Sequence, residues 1–581
     1  MFSVVKYLKP FFIENKKRYG FALTGMIVDN LLVLVPPYLL GTVIDSIFQG
    51  TLTRAWLFQR VLLFAAVIVL SYFVGAFWTY QLFGGSNVLT RKLRRQLMAH
   101  FLKMRSVFYE RFRTGDLMAR ATNDLQAISE MAGYGVMVTL DSTAFLGAIV
   151  LMMIFSISGK LTLFTLLPVP LMGYILKVLG DKVNKRYRES QDAFAEINDE
   201  VLESVEGVRV IRAYVQEEKK QEQFEAQTEN VLQKNIAVAK INSTFQPIIT
   251  ILLGVSYVIA FGYGAILIAN GELTVGELVA FQVYLSMIVW PVQSIGELIN
   301  LTEQGSASLS RVKEVLESGD EMEEEGMKKL SENPDVDFSD VSFRYPSSDH
   351  PNLNQLRLKI KSGQTIGIVG KTGSGKTTFI RQLLRQYPLG DGSIQLDGHS
   401  IQEIESNELR QTIGYVPQDY ILFSRSIRDN IAFGKPDATD EEIMEAVRMS
   451  NFEEDLKRMP KGLDTLIGER GVSVSGGQKQ RISIARALLK NPDILILDDT
   501  LSAVDAKTEK QIIENIRKLR KGKTTLITTH RLSAIRHADW IVVLEDGKII
   551  EEGTNEDLLQ NEESWYLTQY RRQQMRGEET V

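Results

Sequence analysis

The chain has 581 residues, too many for one compact domain, and its 45% hydrophobic and 24% charged residues are unevenly spread. A net charge of −5 argues against general nucleic-acid binding, and the absence of cysteine excludes disulfides and thiolate metal sites. Its five histidines are scattered and offer no zinc constellation.

The first 18 residues read as an N-terminal interfacial (elbow) helix. No small-residue cleavage site follows the first apolar stretch, so no removable signal peptide is expected. Six apolar segments, near 20–43, 57–80, 133–156, 159–179, 247–269 and 274–299, are long enough, or nearly so, to cross a bilayer. With their extensions they predict a six-helix membrane domain over 19–305. The alternative is a buried soluble bundle, but Leu57–Tyr80 carries Arg60 as its one charge. Asp29, Asn30, Pro36 and Pro37 lie within the first span, Pro247 starts the fifth and Pro291 interrupts the sixth, as suits helices that line a cavity.

Basic residues set the expected orientation. Lys16, Lys17 and Arg18 precede the first span; Arg91, Lys92, Arg94, Arg95, Lys103 and Arg105 follow the second; Lys182, Lys185, Arg186 and Arg188 follow the fourth. The positive-inside tendency therefore places both termini and two long loops in the cytosol of a cell-membrane protein. These loops, about 81–132 and 180–246, keep a helical apolar period and read as continuations of the spans. Short tip helices are expected near Tyr109–Asn123 and Val208–Glu217, with a solvated hairpin as the alternative.

An acidic linker is assigned to 306–335, an α/β domain to 336–575 and a tail to 576–581. In the α/β domain, the short β-rich runs Thr365–Val369, Asp493–Leu497, Thr524–Thr528 and Trp540–Leu544 alternate with helical stretches, which predicts a largely parallel sheet.

The run Gly370-Lys371-Thr372-Gly373-Ser374-Gly375-Lys376-Thr377, followed by Thr378, fits the phosphate-loop pattern at every fixed position. A buried strand precedes it and a helix follows, so backbone N–H groups and the helix start converge on one anion. Lys376 is expected to reach the β- and γ-phosphates of ATP, and Thr377 to hold Mg²⁺. Ile494-Leu495-Ile496-Leu497-Asp498 is a buried strand delivering a second Mg²⁺ ligand, Asp498, through water. In Val474-Ser475-Gly476-Gly477-Gln478, paired glycines and a helix start again suit a phosphate.

On these motifs the chain resembles the ATP-binding-cassette (ABC) transporters, with Val474 where Leu is usual. The resemblance covers nearly the whole chain and implies an exporter-type half-transporter: a six-span α-helical domain fused to an α/β P-loop NTPase cassette. It implies that Ser475, Gly476, Gly477 and Gln478 bind ATP held by the other cassette of a dimer. It further implies that Tyr345 stacks on adenine, that Gln418 senses Mg²⁺, that the loop with Ser502 and Asp505 crosses the dimer interface, and that His530 contacts the γ-phosphate.

One position departs from the family. Members that hydrolyse ATP briskly have Glu after the strand-ending Asp, where it polarises the attacking water. This chain has Asp499. The carboxylate is set back by roughly 1–1.5 Å, a displacement that can cost about 10²-fold in rate. The site on this chain's phosphate loop is therefore expected to bind ATP and hydrolyse it poorly. One impaired and one intact site is the pattern of heterodimeric exporters; a homodimer is the alternative. Asp29, Asp141, Glu277 and Glu297 are candidate cavity residues for hydrophobic or cationic drugs in multidrug efflux or antibiotic resistance, or else rim and packing residues. A lipid flippase would share every motif.

Overall fold

A computed structural model describes residues 2–319, 326–468, 473–502 and 504–575. The expected tail 576–581, linker residues 320–325 and Ala503 lie outside the described residues. The chain divides into two units, Met1–Lys103 with Arg113–Ser318, and Met104–Phe112 with Gly319–Val581.

The first unit is helical. Helix Phe2–Glu14 leads into five stretches that, among the described residues, are long and apolar enough to cross a membrane: Lys16–Phe48, Arg54–Lys103, Thr114–Thr165, Glu217–Ala269 and Val275–Glu317. The first is divided at Leu34, between helices Lys16–Val33 and Val35–Phe48, and the Leu34 N–H donates to Leu31 O at 3.3 Å. Pro36 and Pro37 lie in the first turn of the second helix, after Val35, and have no N–H to continue the ladder.

The expected fourth span, 159–179, is divided between helices Gly159–Thr165 and Pro168–Glu206 by a turn at Leu166 and Leu167. Pro168 opens the second helix, where a missing N–H is tolerated. Helices Pro168–Glu206 and Glu217–Ala269 continue far past their apolar segments and are joined through the short helix Val208–Ala213. At the other loop tip, helices Ser106–Arg111 and Thr114–Ala119 replace the single element expected near Tyr109–Asn123.

Among the described residues the second unit contains ten strands: β1 Val336–Phe343, β2 Leu353–Ile360, β3 Thr365–Gly370, β4 Asp391–Leu396, β5 His399–Ser400, β6 Ile413–Val416, β7 Ile494–Asp498, β8 Thr524–Thr528, β9 Trp540–Glu545 and β10 Lys548–Gly553. One sheet has the order β2-β1-β4-β5 and is antiparallel. The other has the order β10-β9-β3-β8-β7-β6, with every pair parallel except β10-β9.

Every residue of β7 and β8 is buried, because these central parallel strands are covered on both faces and admit only apolar or hydrogen-bonded side chains. Phe338 of β1 stacks on Phe379 of the helix that follows β3, with ring centroids 4.4 Å apart, and so joins the two sheets into one core. A separate apolar cluster, including Ile427, Val447, Phe452 and Ile482, supports the helices between β6 and β7. Residues 104–112 belong to this unit: Val107 packs on its core and the Tyr387 hydroxyl donates to Glu110.

Candidate functional site

The parallel register gathers the motifs at the carboxyl ends of four adjacent strands. Asp498 pairs with Thr528, and Ile368 of β3 with the same Thr528. Val416, two residues before Gln418, pairs with Leu497. The phosphate loop after β3, His530 after β8, Asp498 and Asp499 at the end of β7, and Gln418 after β6 therefore lie along one edge. This is where open α/β sheets bind ligands.

The phosphate loop is shaped by glycine where the backbone leaves no room. A Cβ on Gly370 would lie 2.2 Å from Leu544 O; Gly375 adopts φ +103°, and a Cβ there would lie 2.7 Å from Asn352 O. Gly375 begins helix Lys376–Leu383 without a capping side chain, so the first N–H groups of that helix remain directed at the loop. Lys376 is only 7% exposed. Its Nζ donates to Gly370 O at 2.9 Å and Lys371 O at 2.8 Å, which arches the ammonium over the loop. Burial lowers its pKa, against the pull of Asp499 and Asp498. Lys371 is exposed and pairs with Glu545 at 2.5 Å.

Asp498 is 1% exposed and is held by hydroxyls. Thr528 Oγ1 donates to its Oδ1 at 2.7 Å, Thr377 Oγ1 approaches the same oxygen at 3.4 Å, and Tyr415 Oη donates to Oδ2 at 3.3 Å. Burial, then Asp498, pushes the Tyr415 phenol up, so it remains a donor. Among the described residues, no group of three or more His, Asp or Glu side chains is arranged to hold a metal ion by itself. The side-chain oxygens of Thr377 and Asp498, lying together beside the phosphate loop, are of the chemistry that suits Mg²⁺, which takes few protein ligands and completes its shell with water and phosphate.

Asp499 is half-buried, with a left-handed backbone at φ +48°. Burial raises its pKa, while His530 and Lys376 act in the opposite direction. Burial and Lys376 lower the pKa of His530, which favours the neutral ring. Gln418 is exposed just beyond β6. Tyr345 reaches the phosphate-loop helix: its Oη lies 3.3 Å from Thr378 Oγ1, and its ring meets Phe343 and Tyr387 edge-on.

Ser475 starts helix Gly476–Leu489 with a capping box. Gln478 N donates to Ser475 Oγ at 3.3 Å, and Ser475 N donates to Gln478 Oε1 at 2.9 Å. The Ser475 hydroxyl thus accepts one hydrogen bond and keeps its proton to donate. Among the described residues, no hydrogen bond joins Ser475–Gln478 to this chain's phosphate loop. Asp505 caps helix Ala506–Leu519, accepting from Thr508 N at 3.0 Å, and that bond lowers its pKa.

The comparisons agree with this geometry. Residues 20–292 match the ABC transporter transmembrane region, and residues 353–502 match the ABC transporter domain. The chain belongs to the ABC transporter family. It is 52% identical over 576 residues to the probable multidrug resistance ABC transporter ATP-binding/permease protein YheI of Bacillus subtilis (strain 168), covering 99% of this chain and 98% of that protein. It is 38% identical to the multidrug resistance-like ATP-binding protein MdlA of Escherichia coli (strain K12), covering 98% and 96%. The structure of a bacterial Atm1-family ABC exporter with ATP bound superposes with a TM-score of 0.80 at 25% identity, covering 96% of this chain and 99% of that one. This ABC transporter is thus a membrane protein in which an exporter-type helical domain is fused to an ATPase cassette that drives transport.

In the membrane unit, three of the four predicted acids contact polar partners on other helices. Asp29 accepts from Ser71 Oγ at 2.5 Å and Trp78 Nε1 at 2.9 Å; Asp141 accepts from Trp290 Nε1 at 3.3 Å; Glu297 accepts from Tyr134 Oη at 2.9 Å. Glu277 stands apart, because its carboxylate closes a capping box with Thr274 at a helix start. The Thr-x-x-Glu spacing was a readable signal for that role. Thr528 and Tyr415, which hold Asp498, had no motif to reveal them.

Proposed function

We propose that this chain is one half of a heterodimeric multidrug exporter, of the kind represented by the BmrC subunit of the bacterial exporter BmrCD. In this reading residues 1–18 are the elbow helix, 19–305 the membrane domain, 306–335 the linker and 336–575 the cassette, with termini and cassette in the cytosol. The phosphate loop Gly370–Thr377, with Thr378 and the Tyr345 ring, binds ATP. Mg²⁺, held by Thr377, Asp498 and Gln418, would neutralise phosphate charge. His530 contacts the γ-phosphate. Ser475–Gln478 close over ATP on the partner's phosphate loop, and Ser502 and Asp505 cross the interface.

The contrast between two positions carries this reading. Ser475 and Gln478 form a complete capping box, which supports the reading of a signature fit to be offered to the partner. Asp499 stands where a longer carboxylate would polarise water, and its main chain is anchored to Thr528 O at 2.9 Å. ATP therefore closes both sites, and hydrolysis is concentrated where the partner supplies the catalytic acid. Closure passes through the loop-tip segments to the spans. Cationic or hydrophobic drugs are the cargo, drawn by Asp29, Asp141 and Glu297.

Co-purification from native membranes, followed by ATPase assays with cationic and neutral drugs, tests the proposal. A second half-transporter chain, drug-stimulated hydrolysis by the pair and weak activity from this chain alone are expected. Brisk hydrolysis by the lone chain would favour a homodimer. Stimulation by labelled lipid with no response to drugs would point to a flippase.

A further inference from the structure

Arg531 follows His530 in the segment 529–532 after β8, here termed the switch segment, and has none of the roles assigned above. Its guanidinium reaches back across the sheet edge to the interface loop. Nη1 donates to Val504 O at 3.1 Å and Nη2 to Ser502 O at 3.1 Å, while Nη1 also pairs with Glu509 Oε2 at 2.9 Å. Glu509 is 3% exposed, and its other oxygen accepts from Ser533 Oγ at 2.8 Å. The fork therefore has a fixed, buried counter-charge behind it and two backbone carbonyls of the interface loop in front. A planar guanidinium can satisfy all three acceptors at once, and a lysine ammonium on a flexible stem cannot reproduce that geometry.

The main chain on both sides of Arg531 is pinned as well. Gln573 Nε2 donates to His530 O at 2.7 Å, and Leu532 N donates to Gln573 Oε1 at 3.0 Å, so one amide spans the switch segment. Gln573 lies on helix Trp565–Met575, whose start is held by Glu551 of β10: Ser564 Oγ, Trp565 N and Tyr566 N donate to it at 2.8, 2.5 and 3.2 Å. On the far side, Ser502 Oγ donates to Asp499 O at 3.0 Å. The interface loop is thus held to the switch segment by Arg531 and to the end of β7 by Ser502.

We propose that Arg531 is a positioning residue that couples the two nucleotide sites through a single chain. The inference rests on the two-site reading above, in which His530 faces this chain's nucleotide and the Ser502–Asp505 loop faces the partner's. Nucleotide on this chain's phosphate loop settles the switch segment. Arg531 carries that setting to the carbonyls of Ser502 and Val504, and so to the geometry of the competent site. The impaired site then acts as a sensor for the active one.

A double-mutant cycle in the co-purified complex tests this. Lys376→Ala weakens nucleotide binding at this chain's site, and its effect on turnover at the competent site is measured with Arg531 intact and with Arg531→Met. The expected result is a change of about five-fold or more from Lys376→Ala in the parent, shrinking to within about two-fold of unity in the Arg531→Met background. Photolabelling of this chain by an azido-ATP probe should stay within about two-fold of the parent in Arg531→Met, because the phosphate loop is untouched. A merely structural collapse would lower labelling too. Glu509→Gln, which keeps the shape and removes the charge, should reproduce the loss of coupling, and Arg531→Lys should restore it only partly.

Independent effects of the two substitutions, multiplying within about two-fold, would overturn the coupling while leaving two sites in place. Loss of labelling in both Arg531→Met and Glu509→Gln would overturn it as well, by showing a structural role. Brisk hydrolysis by the lone chain would instead overturn the two-site reading beneath it.

Discussion

The backbone N–H of Asp499 donates to the carbonyl of Thr528 at 2.9 Å. This bond fixes where the side chain at 499 begins, so the reach of its carboxylate depends on side-chain length. Asp499→Glu in the assembled complex should raise hydrolysis at this chain's site by about ten-fold or more, since ~1 Å of displacement can cost about 10²-fold. Total turnover should rise only modestly if the partner's site dominates. The left-handed backbone at 499 is easier for Asp than for most residues, so the Glu variant should be less stable by about 1 kcal/mol. Single-turnover hydrolysis and thermal unfolding measure the two effects.

Asp499 also gives a pH signature. Burial raises its folded pKa above the ordinary carboxylate value, so the folded state holds the proton more tightly than the unfolded chain. Ionised Asp499 therefore opposes folding above its folded pKa, and this penalty fades as pH falls through that value toward the ordinary one. Asp499→Asn should melt higher than the parent near pH 8, by about 1–2 °C because the group is half-exposed. The difference should close toward pH 4. Nucleotide-free melting curves across that range would show it.

Thr528 supplies the shortest hydrogen bond to the buried Asp498. Thr528→Val keeps the shape and removes the donor, leaving hydroxyl contacts from Thr377 at 3.4 Å and Tyr415 at 3.3 Å. The expected cost is about 1.5–3 kcal/mol of stability, with weaker Mg²⁺-dependent ATP binding. Thr528→Ser should recover most of both. Denaturant midpoints and nucleotide titrations with and without Mg²⁺ check this.

The Tyr387 hydroxyl donates to Glu110 of the segment that packs with the cassette. Burial, then Glu110, pushes the Tyr387 phenol up, so it stays protonated throughout the physiological range. A hydrogen bond to a charged group contributes about 1.5–3 kcal/mol. Tyr387→Phe and Glu110→Ala should therefore loosen the segment and lower drug transported per ATP about two-fold or more, with hydrolysis largely retained. Paired transport and ATPase assays in proteoliposomes measure the ratio.

Much of this architecture is legible in the amino-acid sequence. The runs Thr365–Val369, Asp493–Leu497, Thr524–Thr528 and Trp540–Leu544 match β3, β7, β8 and β9 within a residue at each end. Parallel strands buried on both faces read as continuous apolar runs. The phosphate loop was legible because its glycines answer to local backbone geometry. The antiparallel sheet was harder to read, as β1 pairs with bulged register and β5 has only two residues. The break at Leu166–Leu167 follows from Pro168, yet the surrounding apolar run conceals it. Contacts such as Thr528 to Asp498 or Gln573 to His530 join residues 30 and 43 positions apart and depend on the folded sheet edge.

The most direct measurement identifies the nucleotide retained on each chain during steady turnover of the co-purified complex, by photocrosslinking to each phosphate loop. ATP should persist on this chain's loop, in contact with both subunits, while ADP accumulates on the partner's. Equal ADP on both chains, or nucleotide contacting one subunit alone, would contradict the account.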